Sequence, residues 1–317
     1  GAKGGITVDP SKLSQGELER LSRGYIQGLH KYLGEKIDIP APDVGTNGQI
    51  MAWMVDEYCK LTGHFAVGML TGKPVAWGGS LGRSEATGFG VAVTAREAAA
   101  KLGIDLKGAK VAVQGFGNVG SYTVKNFIKL GGKVVAVAEW EPKNGTYVIY
   151  NEAGFCFEEL KDYRTHNGNL LGFPGSQAIS LDEFWALDVD VMVPAALEKA
   201  IDAKQAEVIK AKLVVEAANG PVTPAGDKVL NQRGITVTPD ILSNAGGVTV
   251  SYFEWVQNLY GYAWAEAEVK QREEEAMVNA FEAIWKIKKQ YKCTMREAAY
   301  LVSVKKVAEV MKLRGWY

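Results

Sequence analysis

The sequence predicts an α/β protein: a doubly wound, mostly parallel Rossmann-like sheet domain together with the remnant of a second α/β domain. Three observations carry that prediction. From about residue 84 onward, short β-branched runs alternate with helical stretches, the pattern of parallel strands covered by helices on both faces. One of those runs leads straight into Gly115-Phe116-Gly117-Asn118-Val119-Gly120 and a further helix. The length, 317 residues, favours two domains over one, since a domain usually takes roughly 100–200 residues.

The elements follow in chain order. Ser14-Gln15-Gly16-Glu17 has the Ser-x-x-Glu form of a capping box, and Leu18, Leu21, Tyr25 and Leu29 continue at helical spacing. Ile37-Asp38-Ile39-Pro40-Ala41-Pro42-Asp43 is an extended, rigid connection, because proline restricts itself and the residue before it. A second helix is expected from Gly48 to about Leu61, and the loop Gly78-Gly79-Ser80 with Gly82-Arg83-Ser84 is a plausible hinge. An Ala-rich helix, Gly88 to Leu102, precedes a short apolar strand at Lys110–Gln114. The glycine turn and a helix to about Leu130 come next, then a strand over Lys133–Ala138. Further strands are expected at Val189–Val193, Leu213–Val215 and Ile235–Thr238. A long charged amphipathic helix runs from Glu266 to about Gln290, and a second capping box, Thr294-Met295-Arg296-Glu297, opens the terminal helix.

Composition excludes several classes. Lys and Arg (36) balance Asp and Glu (36), so no net positive field draws nucleic acid or an acidic membrane. No apolar run approaches the roughly 20 residues of a spanning helix, and no signal segment opens the chain. Cys59, Cys156 and Cys293 are odd in number, widely spaced and without clustered histidines. That argues against a disulfide framework or a zinc site, so no metal is expected, and it suggests a reducing, cytoplasmic location. The opening, Gly1-Ala2-Lys3-Gly4-Gly5 with no Met, reads as the start of a fragment.

The glycine turn sits between strand and helix, the context in which such a pattern means dinucleotide binding. Gly115 permits the tight turn, Gly117 lets backbone approach a pyrophosphate, and Gly120 lets helix approach strand. The helix start offers free N–H groups to phosphate. Glu139 ends the second strand, where an acidic residue accepts hydrogen bonds from the adenosine ribose hydroxyls. A carboxylate there repels a 2′-phosphate, and Trp140, Glu141 and Pro142 offer no cation, Lys143 being the nearest. NAD is therefore favoured over NADP.

Three other segments suit chemistry. Lys3 lies in a glycine-rich run that could close around and desolvate its ammonium, which lowers a lysine pKa; an exposed loop lysine is the ordinary reading. Asp43 follows the stiff Pro40-Ala41-Pro42, which would hold a carboxylate in place, although an Asp often serves as a turn or cap. Asn244-Ala245-Gly246-Gly247-Val248-Thr249-Val250-Ser251 sets small residues and a hydroxyl after an apolar strand and turn, where backbone can approach a ligand or simply turn. On these patterns alone the chain is a dehydrogenase of unknown substrate.

Across essentially its whole length the chain resembles glutamate dehydrogenase of the hexameric bacterial, clostridial-like type. The stretches that carry the resemblance are Gly1-Ala2-Lys3-Gly4-Gly5-Ile6, Pro40-Ala41-Pro42-Asp43-Val44, Leu70-Thr71-Gly72-Lys73-Pro74, Ala86-Thr87-Gly88-Phe89-Gly90, Val113–Gly120, Val193-Pro194-Ala195-Ala196-Leu197, Glu216-Ala217-Ala218-Asn219-Gly220-Pro221 and Asn244–Glu254. The resemblance implies that Lys3 and Asp43 are the catalytic lysine and aspartate. It implies that Thr87, Asn118, Glu139, Ala195 and Asn219 line the cofactor, with Asn244 where cofactor and substrate meet. It also implies that Thr71, Val248 and Ser251 line the substrate pocket, Ser251 facing the side-chain carboxylate of glutamate.

The reaction so implied is reversible oxidative deamination of L-glutamate to 2-oxoglutarate and ammonium with NAD, by a homo-oligomer that is a hexamer in the full-length parent. Lys3 would activate water and Asp43 would shuttle protons to and from the nitrogen. Residues 1–78 are then expected to be the C-terminal part of a truncated substrate and oligomerisation domain, 79–290 the dinucleotide-binding domain, and 291–317 a C-terminal helix returning to the first domain. The family has further substrate-binding lysines upstream of the catalytic one, so the chain as given is expected to bind NAD and to turn over glutamate poorly or not at all. Two alternatives stand beside this reading. One is a related dehydrogenase of leucine, valine or phenylalanine; the other, for the fragment, is a nucleotide-binding module without catalysis.

Overall fold

A helix whose first turn is satisfied by side chains needs no neighbour to hold its end, and the chain begins its regular structure that way. In the computed structural model, which describes residues 3–316, Ser14 and Glu17 close a reciprocal capping box on α1 (Gln15–Leu29). Asn47 caps α2 (Gly48–Thr62), its Oδ1 accepting from the Ile50 N–H at 3.1 Å. Ile26 of α1 and Ile50, Met51 and Val55 of α2 bury their side chains together with Met69 and Leu70.

The chain divides into two compact units. The first takes the residues up to Arg83 together with Val248–Gln271; the second takes Ser84–Gly247 and the residues from Arg272 on. The first holds α1, α2 and their core.

The second unit holds the sheet. Its elements in order are α3 (Ala86–Leu102), β1 (Lys110–Gln114), α4 (Asn118–Lys129), β2 (Lys133–Glu141), β3 (Gly145–Tyr150), α5 (Phe157–Asn167), β4 (Gln177–Ile179) and α6 (Leu181–Trp185). β5 (Val191–Pro194), α7 (Ala203–Val208), β6 (Leu213–Val215), α8 (Pro224–Gln232), β7 (Thr236–Thr238) and α9 (Asp240–Ser243) follow. α10 (Gly246–Tyr260) and α11 (Glu266–Tyr291) each contribute residues to both units, and α12 (Met295–Leu313) ends the chain.

The strand order is β4-β3-β2-β1-β5-β6-β7. All pairs from β2 through β1 to β7 are parallel, while β3 and β4 are antiparallel additions on one edge. The winding therefore reverses next to β1, whose neighbours are β2 and β5. At such a switch point the loops leaving the carboxyl ends of the strands open a crevice for a ligand. Successive residues of one strand face opposite ways, so Val111 and Val113 enter the core of one face and Ala112 that of the other. The doubly wound sheet is the expected one.

The division differs from the expected one in two respects. Residues 248–271 belong with the first unit, although the expected nucleotide domain ran from 79 to 290 without interruption. The C-terminal helix belongs with the second unit and not with the first. Its capped first turn brings Met295, Ala298 and Ala299 into the sheet's core, and small apolar residues at that spacing let the helix approach closely.

Candidate active site

The glycine turn separates into three roles, each with its own geometry. Gly115 has φ +102°, a backbone that side-chain-bearing residues rarely adopt. A Cβ on it would lie 2.9 Å from the carbonyl oxygen of Ala195, whose own N–H donates to the Gln114 carbonyl at 2.7 Å. Gly120 must approach the turn so closely that a Cβ would stand 2.0 Å from the Gly115 carbonyl oxygen. A Cβ on Gly117 would meet nothing within 4 Å. Gly117 is the N-cap of α4 and offers no side chain to its first N–H groups, which leaves those donors and the positive end of the helix dipole for a phosphate. The open position and the uncapped helix start fit a dinucleotide pyrophosphate.

Neighbouring residues frame this cradle. Asn118 is exposed and donates from Nδ2 to the Ser84 carbonyl at 3.2 Å. Val119 is half-buried against the core. Thr87, in the first turn of α3, is half-buried. α3 is held tight on α4 by Gly88, where a Cβ would be 2.6 Å from the Thr123 nitrogen.

Glu139 lies near the end of β2, and its Oε2 accepts from the Phe116 N–H at 2.9 Å. The expectation that Lys143 is the nearest cation fails here. Arg164, from the last turn of α5, sets its Nη1 3.1 Å from the same oxygen. No local pattern could have found it, because the fold and not the spacing brings α5 back over the turn.

At the ends of β6 and β7, Asn244 donates from Nδ2 to Oδ1 of Asn219 at 2.8 Å. Both loops hang on one buried carboxylate. Glu216 accepts from the Asp240 N–H at 2.7 Å with one oxygen and from Arg296 at 2.6 Å with the other. Asp240 in turn holds the Gly220 N–H at 2.8 Å. Burial pushes the Glu216 carboxyl above its ordinary value, while the Arg296 bond pulls the other way.

The first unit gathers the remaining candidates. Lys3 donates to Oδ2 of Asp43 in a short ion pair. That bond, helped by the Val44 N–H on the other oxygen, holds the Asp43 carboxyl below the usual range. The Lys3 side chain is 86% exposed, which is the exposed-loop arrangement and not the enclosed one that the glycine-rich run could have given. Gly1 and Ala2, part of that run, lie outside the described residues.

The Pro40 carbonyl accepts from the Thr71 N–H at 3.0 Å, and a Cβ on Gly72 would run into Pro42 at 2.5 Å. The segment carrying Asp43 and the one carrying Thr71 are therefore fitted to each other. Glu254 of α10 then accepts from the N–H groups of Gly72 (3.0 Å) and Lys73 (3.3 Å). One helical turn before it, Ser251 Oγ accepts from Arg83 Nε at 2.9 Å, another cation that spacing did not reveal. Val248, a further turn back, is 67% exposed. The octapeptide read as turn or ligand loop is thus largely the start of a helix. Gly246 serves close approach: a Cβ there would lie 2.4 Å from the Ala86 carbonyl oxygen.

Among the described residues no group of three His, Cys, Asp or Glu side chains is placed to hold a metal ion. No helix among them is long and apolar enough to cross a membrane.

Comparison with known proteins gives a consistent set of relatives. The sequence model of the glutamate/leucine/phenylalanine/valine dehydrogenases matches residues 78–315, and that of the dimerisation domain of the same enzymes matches residues 1–60. The NAD-specific glutamate dehydrogenase of Clostridioides difficile is 71% identical over 317 residues, all of this chain and 75% of that protein. The crystal structure of glutamate dehydrogenase from Peptoniphilus asaccharolyticus superposes with a TM-score of 0.85 at 55% identity, covering 98% of this chain and 73% of that one. A leucine-bound crystal structure of the hetero-hexameric glutamate dehydrogenase from Thermus thermophilus gives 0.90 at 36% identity, over 98% and 72% of the two chains.

Proposed function

Because this chain belongs to the glutamate/leucine/phenylalanine/valine dehydrogenase family, we propose that it is an NAD-dependent glutamate dehydrogenase, converting L-glutamate reversibly to 2-oxoglutarate and ammonium. The observation that carries the choice of glutamate and NAD is the likeness over the whole chain to the NAD-specific enzyme of C. difficile. The dinucleotide cradle supports the cofactor half of the reading.

When NAD is bound, its nicotinamide would supply the acceptor for the hydride of the amino acid's α-carbon. The N–H groups at the start of α4, opened by Gly117, would hold the pyrophosphate, and Glu139 the adenosine ribose. Asn219 and Asn244 would line the nicotinamide end, with Thr87, Asn118 and Ala195 along the cofactor. Thr71, Val248 and Ser251 would line the substrate pocket, Ser251 towards the side-chain carboxylate. Loss of hydride leaves the substrate as an iminium, and water adds to its carbon. As the neutral amine, Lys3 would accept the proton that the water gives up, and its returned charge would steady the carbinolamine oxygen. Asp43 would move protons to and from the nitrogen, so that the protonated amine departs as ammonia. Assembly into a homohexamer and a cytoplasmic location belong to the same proposal; the dimerisation-domain match supports the first.

The test is NADH formation by the full-length protein with glutamate, leucine, valine or phenylalanine, beside calorimetric NAD binding. Glutamate is expected to be the preferred substrate. Preference for leucine or phenylalanine would overturn the substrate, and NAD binding with no turnover of any of the four would make the chain a binding module. Asp43→Asn is expected to keep NAD affinity while turnover falls about 100-fold or more, the usual scale of a lost proton carrier.

A further inference from the structure

We propose that Arg164 is a specificity-determining residue of the adenosine end of the cofactor site, the cation for which Glu139 and a 2′-phosphate would compete. The inference rests on the NAD reading above and extends it to a residue that the glycine-turn pattern does not contain.

Glu139 and Arg164 hold the two backbone polar groups of one residue of the turn, Phe116. The carboxylate Oε2 takes the Phe116 N–H at 2.9 Å, and Arg164 Nη1 donates to the Phe116 carbonyl in a short bond. The same Nη1 stands 3.1 Å from Glu139 Oε2. The guanidinium carbon lies 5.7 Å from the centre of the Phe116 ring, which is buried beneath it. Phe116 sits between Gly115 and Gly117, so this hold sets the shape of the turn on which the cofactor would rest. The Glu139 side chain is 13% exposed and that of Arg164 34%, which leaves part of the cation within reach of a ligand.

Glu139 therefore does not act as a bare carboxylate. Its charge is matched by a guanidinium, and a guanidinium is the side chain best suited to a phosphate. While Glu139 is ionised it occupies Arg164, and a 2′-phosphate meets a neutral pair and a carboxylate in its way. With the Glu139 charge removed, Arg164 is left bonded to a carbonyl alone and becomes the phosphate's partner. With Arg164 removed instead, Glu139 is unpaired and refuses the phosphate more strongly.

The experiment is calorimetric binding of NAD and NADP to the full chain and to its Glu139→Gln, Arg164→Leu and Glu139→Gln/Arg164→Leu variants. Glutamine keeps an acceptor for the Phe116 N–H, and melting temperatures verify that each variant is folded. Glu139→Gln is expected to raise the NADP-to-NAD affinity ratio about tenfold or more, the scale of one lost like-charge contact. Arg164→Leu is expected to lower the ratio, and the double variant to lose most of the gain. Arg164→Lys in the Glu139→Gln background is expected to retain part of it. An Arg164 that only braces the turn would weaken both cofactors equally and leave the ratio unmoved, which would overturn the proposal. Adenosine 2′,5′-bisphosphate against 5′-AMP repeats the comparison on the adenosine half alone. A wild-type chain that binds neither NAD nor 5′-AMP would instead overturn the dinucleotide reading.

Discussion

Lys73 and Glu254 have side chains with no exposure at all, and Nζ lies 2.6 Å from Oε1. Nζ also donates to the Leu70 carbonyl at 2.6 Å, and Glu254 Oε2 takes the Gly72 N–H, so a buried pair is here hydrogen-bonded as well as neutralised. The pair ties the backbone after Thr71 to the α10 residue one turn beyond Ser251. Removing one member leaves the other buried and unpaired, so Glu254→Gln is expected to cost about 3–5 kcal/mol of stability. Lys73→Met/Glu254→Leu is expected to recover most of that, because the desolvation cost disappears with the charges. Burial lowers the Lys73 pKa, with Glu254 pulling it back up. A lysine whose folded pKa lies below its unfolded value binds fewer protons when folded, so stability rises with pH through that window. In Glu254→Gln the counter-charge is gone and the window widens, so its deficit against wild type is expected to shrink between about pH 7 and about pH 10. Urea midpoints at the two pH values measure this; an equal or larger deficit at high pH would mean that Lys73 is not held as a buried cation.

The strand, glycine turn and helix from Lys110 to Lys129 were legible because each glycine answers a separate steric demand. Those demands predict opposite behaviour for two similar substitutions. Gly117→Ala meets open space, so the melting temperature is expected to hold while NAD affinity falls about tenfold, as a methyl intrudes where the pyrophosphate would sit. Gly120→Ala drives a methyl into the Gly115 carbonyl, so both stability and affinity are expected to fall, stability by about 1–3 kcal/mol as in other overpacked sites. A melting-temperature loss in Gly117→Ala equal to that in Gly120→Ala would show that the open position is not open. The edge of the sheet was not legible. β3 follows β2 through a tight turn with Gly145 at φ +70°, and an antiparallel edge interrupts the strand–helix alternation on which the prediction rested. β4 spans three residues, Gln177–Ile179, two of them exposed, too few to show a period. Arg164 and Arg83 escaped for a related reason: each meets its partner through the fold, with no fixed spacing to Glu139 or Ser251.

At the scale of the molecule, the glycine cluster from Gly78 to Gly82 marked the passage out of the first unit to within a few residues of Arg83. The other passages carry no such mark. They fall at Gly247/Val248 inside α10 and at Gln271/Arg272 inside α11, where no loop or proline interrupts the helix, so an uninterrupted nucleotide domain was the natural reading. The candidate cofactor residues, from Thr87 and the glycine turn to Glu139, Ala195, Asn219 and Asn244, all belong to the second unit. A ligand that binds only the folded form stabilises it by about 2.7 kcal/mol at 100 times its dissociation constant. In native-state hydrogen exchange, NAD at that excess is therefore expected to slow the most protected amides of β1, β5 and β6 about 100-fold. The first turn of α12 is expected to move with them. Met295, Ala298 and Ala299 share the core of that sheet, and Arg296 holds Glu216, the carboxylate on which the Asp240 and Gly220 loops hang. The core of Ile26, Met51, Val55 and Met69 belongs to the first unit, so its amides are expected to change little. Equal slowing in that core would show the two units opening as one, and an unchanged first turn of α12 would return the C-terminal helix to the first domain, where the family resemblance had put it.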